Sequence, residues 1–281
     1  ADFEIASMDD DEKFGAVFHR LSFGEAIERK LLSDYRVVVV GVDDTLYRQY
    51  AESGRFVTRD GVEVTDARSL AAQIGLAKAQ RDYDLRRTIS FHGRVKSAKE
   101  FADSFPDVIQ WIPDEDRPAG RIWTDHVSGK MNSFQRESRL DRMRHQTPDE
   151  RSVLSNARCL SEGVDVPALD GVAFIDPKKS EVDIVQAVGR AIRRSKDKTL
   201  GTIVIPVFVD PNENPDVALR DSRYKPIWDV IMALRGHDEQ LGVELDELRR
   251  GLAKSKELHI PARITLDLPE RVGRAFVQAF K

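Results

Sequence analysis

The sequence predicts an α/β fold, in which a parallel sheet has helices on both faces and a C-terminal helical extension follows. Between residues 35 and 210, short β-branched segments alternate with segments of helical periodicity, which is typical of parallel strands joined by crossover helices. Residues 37–40 are four consecutive valines, as expected for a strand buried on both faces. After Val209 a polar link leads into a segment of helical periodicity.

The first elements are a capped helix and a buried strand. Ser22 and Glu25 have the spacing of a capping box, so a short helix is expected to start here and to end near Asp34. The unbroken β-branched segment 35–42 predicts a strand. Residues 1–34 form an N-terminal segment that starts without an initiator methionine, from which we expect the chain to be a fragment of a longer one.

The alternation continues to the end of the predicted lobe. Further strands are predicted at 87–92, 121–126, 151–157, 171–176 and 200–209, and helices at 66–85, 95–105, 132–145 and 181–194. Ligands of such sheets gather at the carboxyl ends of the strands. We therefore expect the loops after His92, His126, Asn156 and Asp176 at one functional edge, with helix 181–194 close by.

The domain organisation follows from the change in sequence pattern. Residues 35–210 are assigned to the α/β lobe, and residues 211–281 to a helical extension that links it to downstream domains. Within the extension, 225–254 has helical periodicity, with Trp228 and Leu234 near each other on one face. We expect this extension to pack against a neighbour outside the chain.

Composition limits the classes of function. The 281 residues are 41% hydrophobic and 33% charged, and no apolar run is long enough for a membrane span. The single cysteine, Cys159, cannot form an internal disulfide, so a reducing cytoplasm is expected. A net charge of −4 argues against a basic nucleic-acid coat, and any phosphate binding must be local. No metal-ligand cluster is visible in the sequence.

One stretch, QAVGRAIRRS at 186–195, predicts a helix with a polar face next to an apolar stripe. The stripe comprises Val185, Val188 and Ile192, and the polar face comprises Gln186, Gly189, Arg190 and Arg193. Glycine inside a helix costs about 1 kcal/mol relative to alanine, which suggests that something must come close there. Two interpretations remain open: a face that meets an anion, and a solvated basic helix end that complements the helix dipole.

Three stretches together resemble a known family. QAVGRAIRRS resembles motif VI of superfamily 2 helicases, NARCLSEGVDVP resembles motif V, and TISFHGRVKSAKEF resembles motif IV. Their order and intervals are similar to those of the second RecA-like lobe of these motors, over about residues 15–210. FGAVFHRLSFGEAIERKLLSDY and VDVPALDGVAFIDPKKSEVDIVQAVGR resemble the DNA translocase parts of restriction enzymes, especially single-polypeptide restriction-modification proteins.

The resemblance implies that ATP with Mg²⁺ binds in a cleft between two RecA-like lobes. Arg193 is then the arginine finger on the γ-phosphate, a role that suits phosphoryl transfer because charge stabilisation dominates that reaction. Arg190 is expected to hold the phosphates or the neighbouring lobe. Gly189 is expected at the nucleotide, and Gln186 at the nucleotide or at the loops coupled to the nucleic acid. Arg194 points away from the Gln186 face and is interpreted as solvated or, alternatively, as a phosphate contact to DNA.

Motif V carries the other expected nucleotide contacts and one departure from the family. By resemblance, Gly163 and Asp165 approach the nucleotide, with Asp165 at the ribose. Alternatively, Asp165 only caps local amides. Ala157 stands where many relatives have a threonine, which removes the usual hydroxyl contact to the nucleic-acid backbone, and Asn156 and Arg158 are the candidates to replace it.

Two loops that directly follow strands are the candidate nucleic-acid contacts. They supply amides, a hydroxyl and cations to successive phosphates of one strand, which fixes register without reading sequence. Their candidate residues are Gly93, Arg94, Ser128, Gly129 and Lys130. His92 and His126 are interpreted as hydrogen-bonded structural residues rather than contacts.

Two patterns of a complete motor are missing from the sequence: the Gly-x-x-x-x-Gly-Lys-Ser/Thr loop and the acidic pair for magnesium. The phosphates and Mg²⁺ are therefore expected mainly on a first lobe absent from this chain, which should hydrolyse little ATP alone. The predicted function is the C-terminal lobe of an ATP-dependent DNA helicase or translocase, with DNA, duplex favoured, and the preceding lobe as partners. The alternatives are a non-catalytic DNA-binding or docking module and a lobe of an RNA helicase.

Overall fold

The computed structural model describes residues 11–19, 21–43, 67–157, 169–176, 180–195, 198, 200–209, 224–253 and 260–279. Within them, seven strands form one sheet. The strands are β1 Asp34–Asp43, β2 Arg87–Phe91, β3 Arg121–Ser128, β4 Glu150–Ala157, β5 Gly171–Phe174, β6 Leu200–Val209 and β7 Ile264–Asp267. Their order is β3-β4-β2-β5-β6-β1-β7, and every adjacent pair is parallel.

Helices connect the strands and form the C-terminal region. In the described residues they are α1 Asp11–Phe14, α2 Phe23–Glu28, α3 Ala67–Asp82, α4 Val95–Trp111, α5 Ser133–Arg144, α6 Glu181–Ala191, α7 Lys225–His237, α8 Glu239–Ala253 and α9 Glu270–Gln278. A 3₁₀ turn spans Asp114–Asp116. No helix in this part of the chain is both long enough and apolar enough to cross a membrane.

The valine run of β1 shows why both faces of the sheet are covered. Side chains alternate between faces along a strand, and Val37 lies in the core cluster that includes residues of α6 and α7. Val38 lies in the cluster on the opposite face, with Leu70 of α3 and Phe101 of α4. The fold class predicted from the sequence, a parallel RecA-like sheet with helices on both faces and a helical C-terminal region, is confirmed.

Two helices end at different places than their sequence patterns predict. α4 continues past residue 105 to Trp111, with Pro106 inside it, because its apolar face extends through Val108 and Ile109, which are buried. α6 ends at Ala191 rather than at residue 194, because the carbonyl of the next residue accepts a hydrogen bond from outside the helix. In both cases tertiary packing decides the boundary.

The C-terminal region packs on the same core as the strands, and the expectation that it packs against a neighbour outside the chain stays a prediction. α7 buries Ile227 and Leu234 in the cluster that also holds Ile184 of α6. The region also contributes β7, which the sequence did not predict, and this strand pairs with β1 from Val37↔Ile264 onward. The boundary at residue 210 between lobe and extension stays a prediction.

A buried carboxylate joins the C-terminal region to the first strand. Asp238, which separates α7 from α8, is fully buried. Its Oδ2 accepts a hydrogen bond from Tyr35 Oη at 2.6 Å and lies 3.2 Å from Arg263 Nη1, while its Oδ1 accepts from the amide of Leu241 at 3.1 Å. Arg263 Nε also lies 2.9 Å from Asp34. The pairing and the hydrogen bonds offset the desolvation cost of burying these groups, and they join the C-terminal region to β1.

Candidate functional site

The loops that the sequence assigns to nucleic-acid binding lie at one edge of the sheet. Because all the strands are parallel, the carboxyl ends of β2, β3, β4 and β5 point the same way. The amide of Asp176, after β5, donates to the carbonyl of Phe91, at the end of β2, at 3.2 Å. This carboxyl edge therefore brings together the loops after β2 and β3 and the described ends of β4 and β5.

Three of the predicted contact residues are exposed at this edge: Arg94, Gly129 and Lys130. A Cβ added at Gly129 would meet no atom within 4 Å, so its backbone is open to a ligand. Within the described chain, neither Arg94 nor Lys130 forms an ion pair with a carboxylate. An exposed cation that pairs with no protein group is available to a phosphate.

Ser128 and Asn156 lie differently, because both are buried, at 3% exposure each. The carbonyl of Asn156 accepts a hydrogen bond from the amide of His92 at 2.9 Å, which ties the end of β4 to the end of β2. These two side chains offer little surface to a nucleic acid, so the exposed residues are the stronger candidates for direct contact. Arg158 lies outside the described residues.

Gly93 is required by a close approach between two loops. A Cβ at this position would lie 2.7 Å from Oδ2 of Asp176, a separation that real Cβ atoms do not adopt. The amides of Ile175 and Asp176 both donate to the carbonyl of Phe91. Gly93 therefore allows the loop after β2 to pack against the loop after β5, and Asp176 is a strand-end carboxylate of this junction.

His92, which directly follows β2, is a buried, hydrogen-bonded residue, as the sequence interpretation expected, whereas His126 lies inside β3 rather than after it. His92 is 4% exposed, and its Nε2 lies 3.0 Å from Ser90 Oγ, which lies 2.9 Å from Ser155 Oγ. Its ring packs edge-on against Phe101. Burial lowers the pKa of His92 to about 3, so the ring is neutral at physiological pH. Burial also lowers the pKa of the partly buried His126.

The α6 helix has the polar face that its sequence predicts. Ser180 caps it, with its Oγ accepting from the amide of Asp183 at 3.3 Å. Ile184, Ala187, Val188 and Ala191 are buried, whereas Gln186 is exposed. Gly189 is half-buried, and a Cβ added there would meet no atom within 4 Å. The space beside Gly189 is thus open from within the described chain.

The two candidate arginines differ in environment: Arg190 lies on α6, and Arg193 follows the end of that helix. Arg190 is half-buried, and burial lowers the pKa of its guanidinium, which stays charged because the arginine pKa starts far above neutrality. Arg193 is exposed. Its main chain forms an isolated antiparallel bridge with Leu32, and the neighbouring Ile192 carbonyl accepts from the amide of Ser33 at 2.8 Å.

Lys198 forms a further hydrogen bond to the main chain of Arg193. Its Nζ donates to the carbonyl of Arg193 at 3.1 Å and to the carbonyl of Leu169, and burial lowers its pKa to about 8. Arg194 donates to the carbonyl of Lys30, so it is hydrogen-bonded rather than only solvated. The sequence analysis did not identify Lys198, since only the long-range fold brings it to these carbonyls.

One expectation about placement is wrong: the Arg193 end of α6 is not close to the carboxyl edge. Leu32 precedes β1 and Leu169 precedes β5, so their contacts place Arg193 and Lys198 at the amino edge of the sheet. The physical reason is that a crossover helix runs antiparallel to its strands. At about 1.5 Å per residue, α6 separates its two ends by roughly 16 Å.

Two predicted nucleotide contacts, Gly163 and Asp165, lie outside the described residues. In the part of the chain that the structure describes, no group of three or more His, Cys, Asp or Glu side chains could hold a metal ion. Of the predicted nucleotide contacts, Gln186, Gly189, Arg190 and Arg193 lie within the described residues.

Comparisons with known proteins agree with this geometry. Residues 82–195 match the family model for the helicase conserved C-terminal domain. A probable helicase of African swine fever virus, from a pig isolate from Kenya, is 27% identical over 211 residues, which cover 73% of this chain and 21% of that protein. The ATP-dependent Type ISP restriction-modification enzyme LlaBIII, solved bound to DNA, is 28% identical with a TM-score of 0.80, covering 98% of this chain and 19% of that enzyme.

The chain thus spans about a fifth of the length of these relatives. The restriction enzyme matches nearly the whole chain, including the C-terminal region beyond the family match. Residues 82–195 therefore resemble the helicase conserved C-terminal domain, and the predicted resemblance to the second RecA-like lobe of superfamily 2 motors, near the restriction-enzyme translocases, is confirmed.

Proposed function

We propose that this chain is the C-terminal motor lobe of an ATP-dependent DNA helicase or translocase from a restriction-modification or related DNA-processing enzyme. The observation that carries the proposal is the arrangement at the end of α6. There, an exposed Arg193 follows an open Gly189 and a half-buried Arg190, within the stretch that matches the helicase C-terminal domain. The similar restriction enzyme is described as ATP-dependent and bound to DNA. We expect the protein to be cytoplasmic and to act on DNA, with duplex DNA favoured.

The residues present fit a nucleotide held between this lobe and a preceding one. The open space at Gly189 admits a phosphate group or a neighbouring backbone, and the guanidinium groups supply the positive charge that a triphosphate requires. ATP with Mg²⁺ supplies the reactive phosphoryl group, mainly held by the preceding lobe. In this chain Gln186, Gly163 and Asp165 would orient the nucleotide, and Arg190 would hold its phosphates.

Arg193 is proposed as the arginine finger. Its main chain is held by the bridge to Leu32 and by the ammonium of Lys198. The amide of Ser33 holds the neighbouring carbonyl of Ile192, while the Arg193 side chain is exposed. A fixed backbone with an exposed guanidinium is preorganised to stabilise charge on a group outside this lobe. Arginine fingers contribute about 10³- to 10⁵-fold to the rate, or roughly 4 to 7 kcal/mol.

The carboxyl edge is proposed as the nucleic-acid surface. Arg94, Gly129 and Lys130 would contact successive phosphates of one strand, with Gly93 shaping its loop. Ser128, Asn156 and Arg158 would act alongside them, the two buried residues by holding the strand ends. Because α6 separates this edge from Arg193 by roughly 16 Å, nucleotide and DNA occupy different ends of the lobe.

The experiment uses the full-length polypeptide that contains the preceding lobe. ATP hydrolysis is measured for the wild type, Arg193→Ala and Arg249→Ala, with duplex DNA, single-stranded DNA or RNA added. Arg249 is exposed on α8 and provides a matched loss of one arginine. We expect DNA-stimulated turnover that falls about 10³-fold or more in Arg193→Ala and stays unchanged in Arg249→Ala.

The other outcomes identify the alternatives. Normal turnover after the loss of Arg193 would contradict the arginine-finger assignment. Turnover stimulated by RNA but not by DNA would identify an RNA helicase lobe. No turnover with any polymer would favour a non-catalytic DNA-binding or docking module.

A further inference from the structure

An exposed aromatic side chain lies beside the proposed nucleic-acid surface. Phe134 is the second residue of α5 and is 82% exposed. It belongs to none of the described core clusters, whereas Leu140 and Met143 of the same helix are buried in one. Burying a phenylalanine is worth about 1.5 to 3 kcal/mol, so the fold gains little from this ring where it stands.

The local structure holds Phe134 at the carboxyl edge. The turn after β3 is closed by a hydrogen bond from the amide of Met131 to the carbonyl of Ser128 at 3.1 Å. Asn132 and Gln135 then form a complete capping box, with bonds of 2.8 and 3.1 Å. Side chains of a helix tilt toward its N-terminus, so Phe134 is directed toward this edge from an ordered first turn.

The charges near Phe134 are positive or neutralised. Lys130, four residues earlier, makes no ion pair with a described residue, and Arg136 donates only to Ser133 Oγ, at 3.5 Å. Glu137, one turn further along α5, is bonded to Arg144 at 2.5 Å. The surface around the ring is therefore complementary to a polyanion.

We propose that Phe134 stacks on an unpaired base of the DNA strand whose phosphates Lys130 contacts. An exposed aromatic ring beside unpaired cations is the combination that binds single strands without sequence preference, because every base presents a π-face. The inference rests on the proposed function, since it takes the carboxyl edge as the nucleic-acid surface. It adds that this surface engages single-stranded or forked DNA as well as a duplex backbone.

The test measures the affinity of the 281-residue chain for a labelled single-stranded DNA and for the duplex of the same sequence, by fluorescence anisotropy. Phe134→Ala is expected to weaken single-strand binding roughly 5- to 150-fold and to leave duplex binding unchanged. Phe134→Tyr retains the aromatic face and should bind as the wild type does. Phe134→Leu retains only apolar surface and should bind as weakly as the alanine variant.

Two controls separate stacking from other causes. Phe18, which is also exposed but lies in the N-terminal segment, provides a matched variant, Phe18→Ala, that should bind normally. The free energy of unfolding of every Phe134 variant should equal that of the wild type, because the side chain is exposed. A fluorescent adenine analogue in the single strand should be quenched by the wild type, by Phe18→Ala and by Phe134→Tyr. It should not be quenched by Phe134→Ala or Phe134→Leu.

The remaining outcomes distinguish a failure of this inference from a failure of the proposed function. Full binding by Phe134→Leu would identify an apolar docking contact and overturn stacking, as would an equal loss on duplex and single strand. If Lys130→Ala weakens binding to both DNAs while Phe134→Ala weakens neither, stacking is wrong and the nucleic-acid surface stands. If neither variant changes any affinity, the proposed surface fails as well.

Discussion

Two arginines, one at each edge of the sheet, have opposite surroundings. At the amino edge Arg151 is 6% exposed, and it donates to the carbonyls of Ala119, Gln80 and Leu85 and to the carboxylate of Asp84. At the carboxyl edge Arg94 is exposed and pairs with no carboxylate of the described chain. The guanidinium of Arg151 is hydrogen-bonded within the protein, and the guanidinium of Arg94 is available to a ligand.

The glycines of the two edges show the same difference. Gly120, before β3, has a φ of +94°, and a Cβ there would lie 2.4 Å from the carbonyl oxygen of Asp149. Gly129, after β3, has no neighbour within 4 Å of an added Cβ. Near β3 the amino edge is packed closed and the carboxyl edge is open, whereas Gly93, after β2, packs closely against Asp176 at the carboxyl edge. Folding therefore does not account for the positive charge of Arg94 or for the open space at Gly129, and both are consistent with the binding of a ligand.

The largest effect on stability is expected from Arg151→Met. The substitution removes the side-chain donor from the carbonyls of Ala119 and Leu85, while the carbonyl of Gln80 keeps the amide of Leu85. We expect the free energy of unfolding to fall by about 3 to 5 kcal/mol. Urea denaturation measures it. Arg121→Met at the same edge is the control, because Arg121 is an exposed partner of Asp149 at 3.1 Å and should cost at most about 1 kcal/mol. Equal losses in both variants would contradict the assigned role of Arg151.

The second prediction concerns His92, which is a structural residue within the open edge. Its folded pKa of about 3 lies below the unfolded value of 6.5, so the unfolded chain binds more protons between these values and stability is lost as pH falls below 6.5. Between pH 6.5 and pH 5 the loss is about 2 kcal/mol. His92→Gln keeps a polar partner for Ser90 and should lack this part of the pH dependence.

Unfolding free energies of both proteins at several pH values test the His92 prediction, because all other titrating groups are shared. The same acid slope in wild type and His92→Gln would show that His92 is not held neutral by burial. A variant that loses DNA binding while keeping its stability would instead move His92 among the contact residues.

The smallest effect is expected from Gly189→Ala. An added Cβ meets no atom within 4 Å, so alanine should stabilise the lobe by about 1 kcal/mol, while ATP turnover of the full-length polypeptide should fall because the methyl group enters the open space. Gly242→Ala on α8 is the control: its Cβ would make only ordinary contact, 3.7 Å from a carbonyl. It should stabilise similarly without loss of turnover. Unchanged turnover in Gly189→Ala would mean that nothing approaches there.

The strands were predictable wherever burial on both faces produces an unbroken apolar run. The predicted strand 200–209 matches β6 in full, and the valines of β1 lie in the sheet as expected. β7 was not predictable, because its four residues carry little pattern and its partner Val37 lies near the other end of the chain. Local sequence indicates an element, whereas its partner depends on long-range contacts.

The candidate site residues stay a prediction, and their layout was predictable only in part. The exposure of Arg94 and Lys130 follows from their positions after strands, whereas Arg193 is exposed just beyond the end of α6 rather than on its polar face. The burial of Ser128 and Asn156 does not follow from their positions, since it depends on neighbouring strands. The separation of Arg193 from the carboxyl edge could have been predicted from the antiparallel course of α6.

The most direct measurement of the difference between the two edges is the salt dependence of DNA affinity for two double variants of the 281-residue chain. Arg94→Ala with Lys130→Ala removes two cations from the carboxyl edge, and Arg86→Ala with Arg121→Ala removes two from the amino edge. On duplex DNA, the first pair should reduce the slope of log affinity against log salt by about 2, with unchanged unfolding free energy, and the second should leave the slope unchanged. Equal slopes in both pairs would contradict the assignment of the carboxyl edge as the nucleic-acid surface.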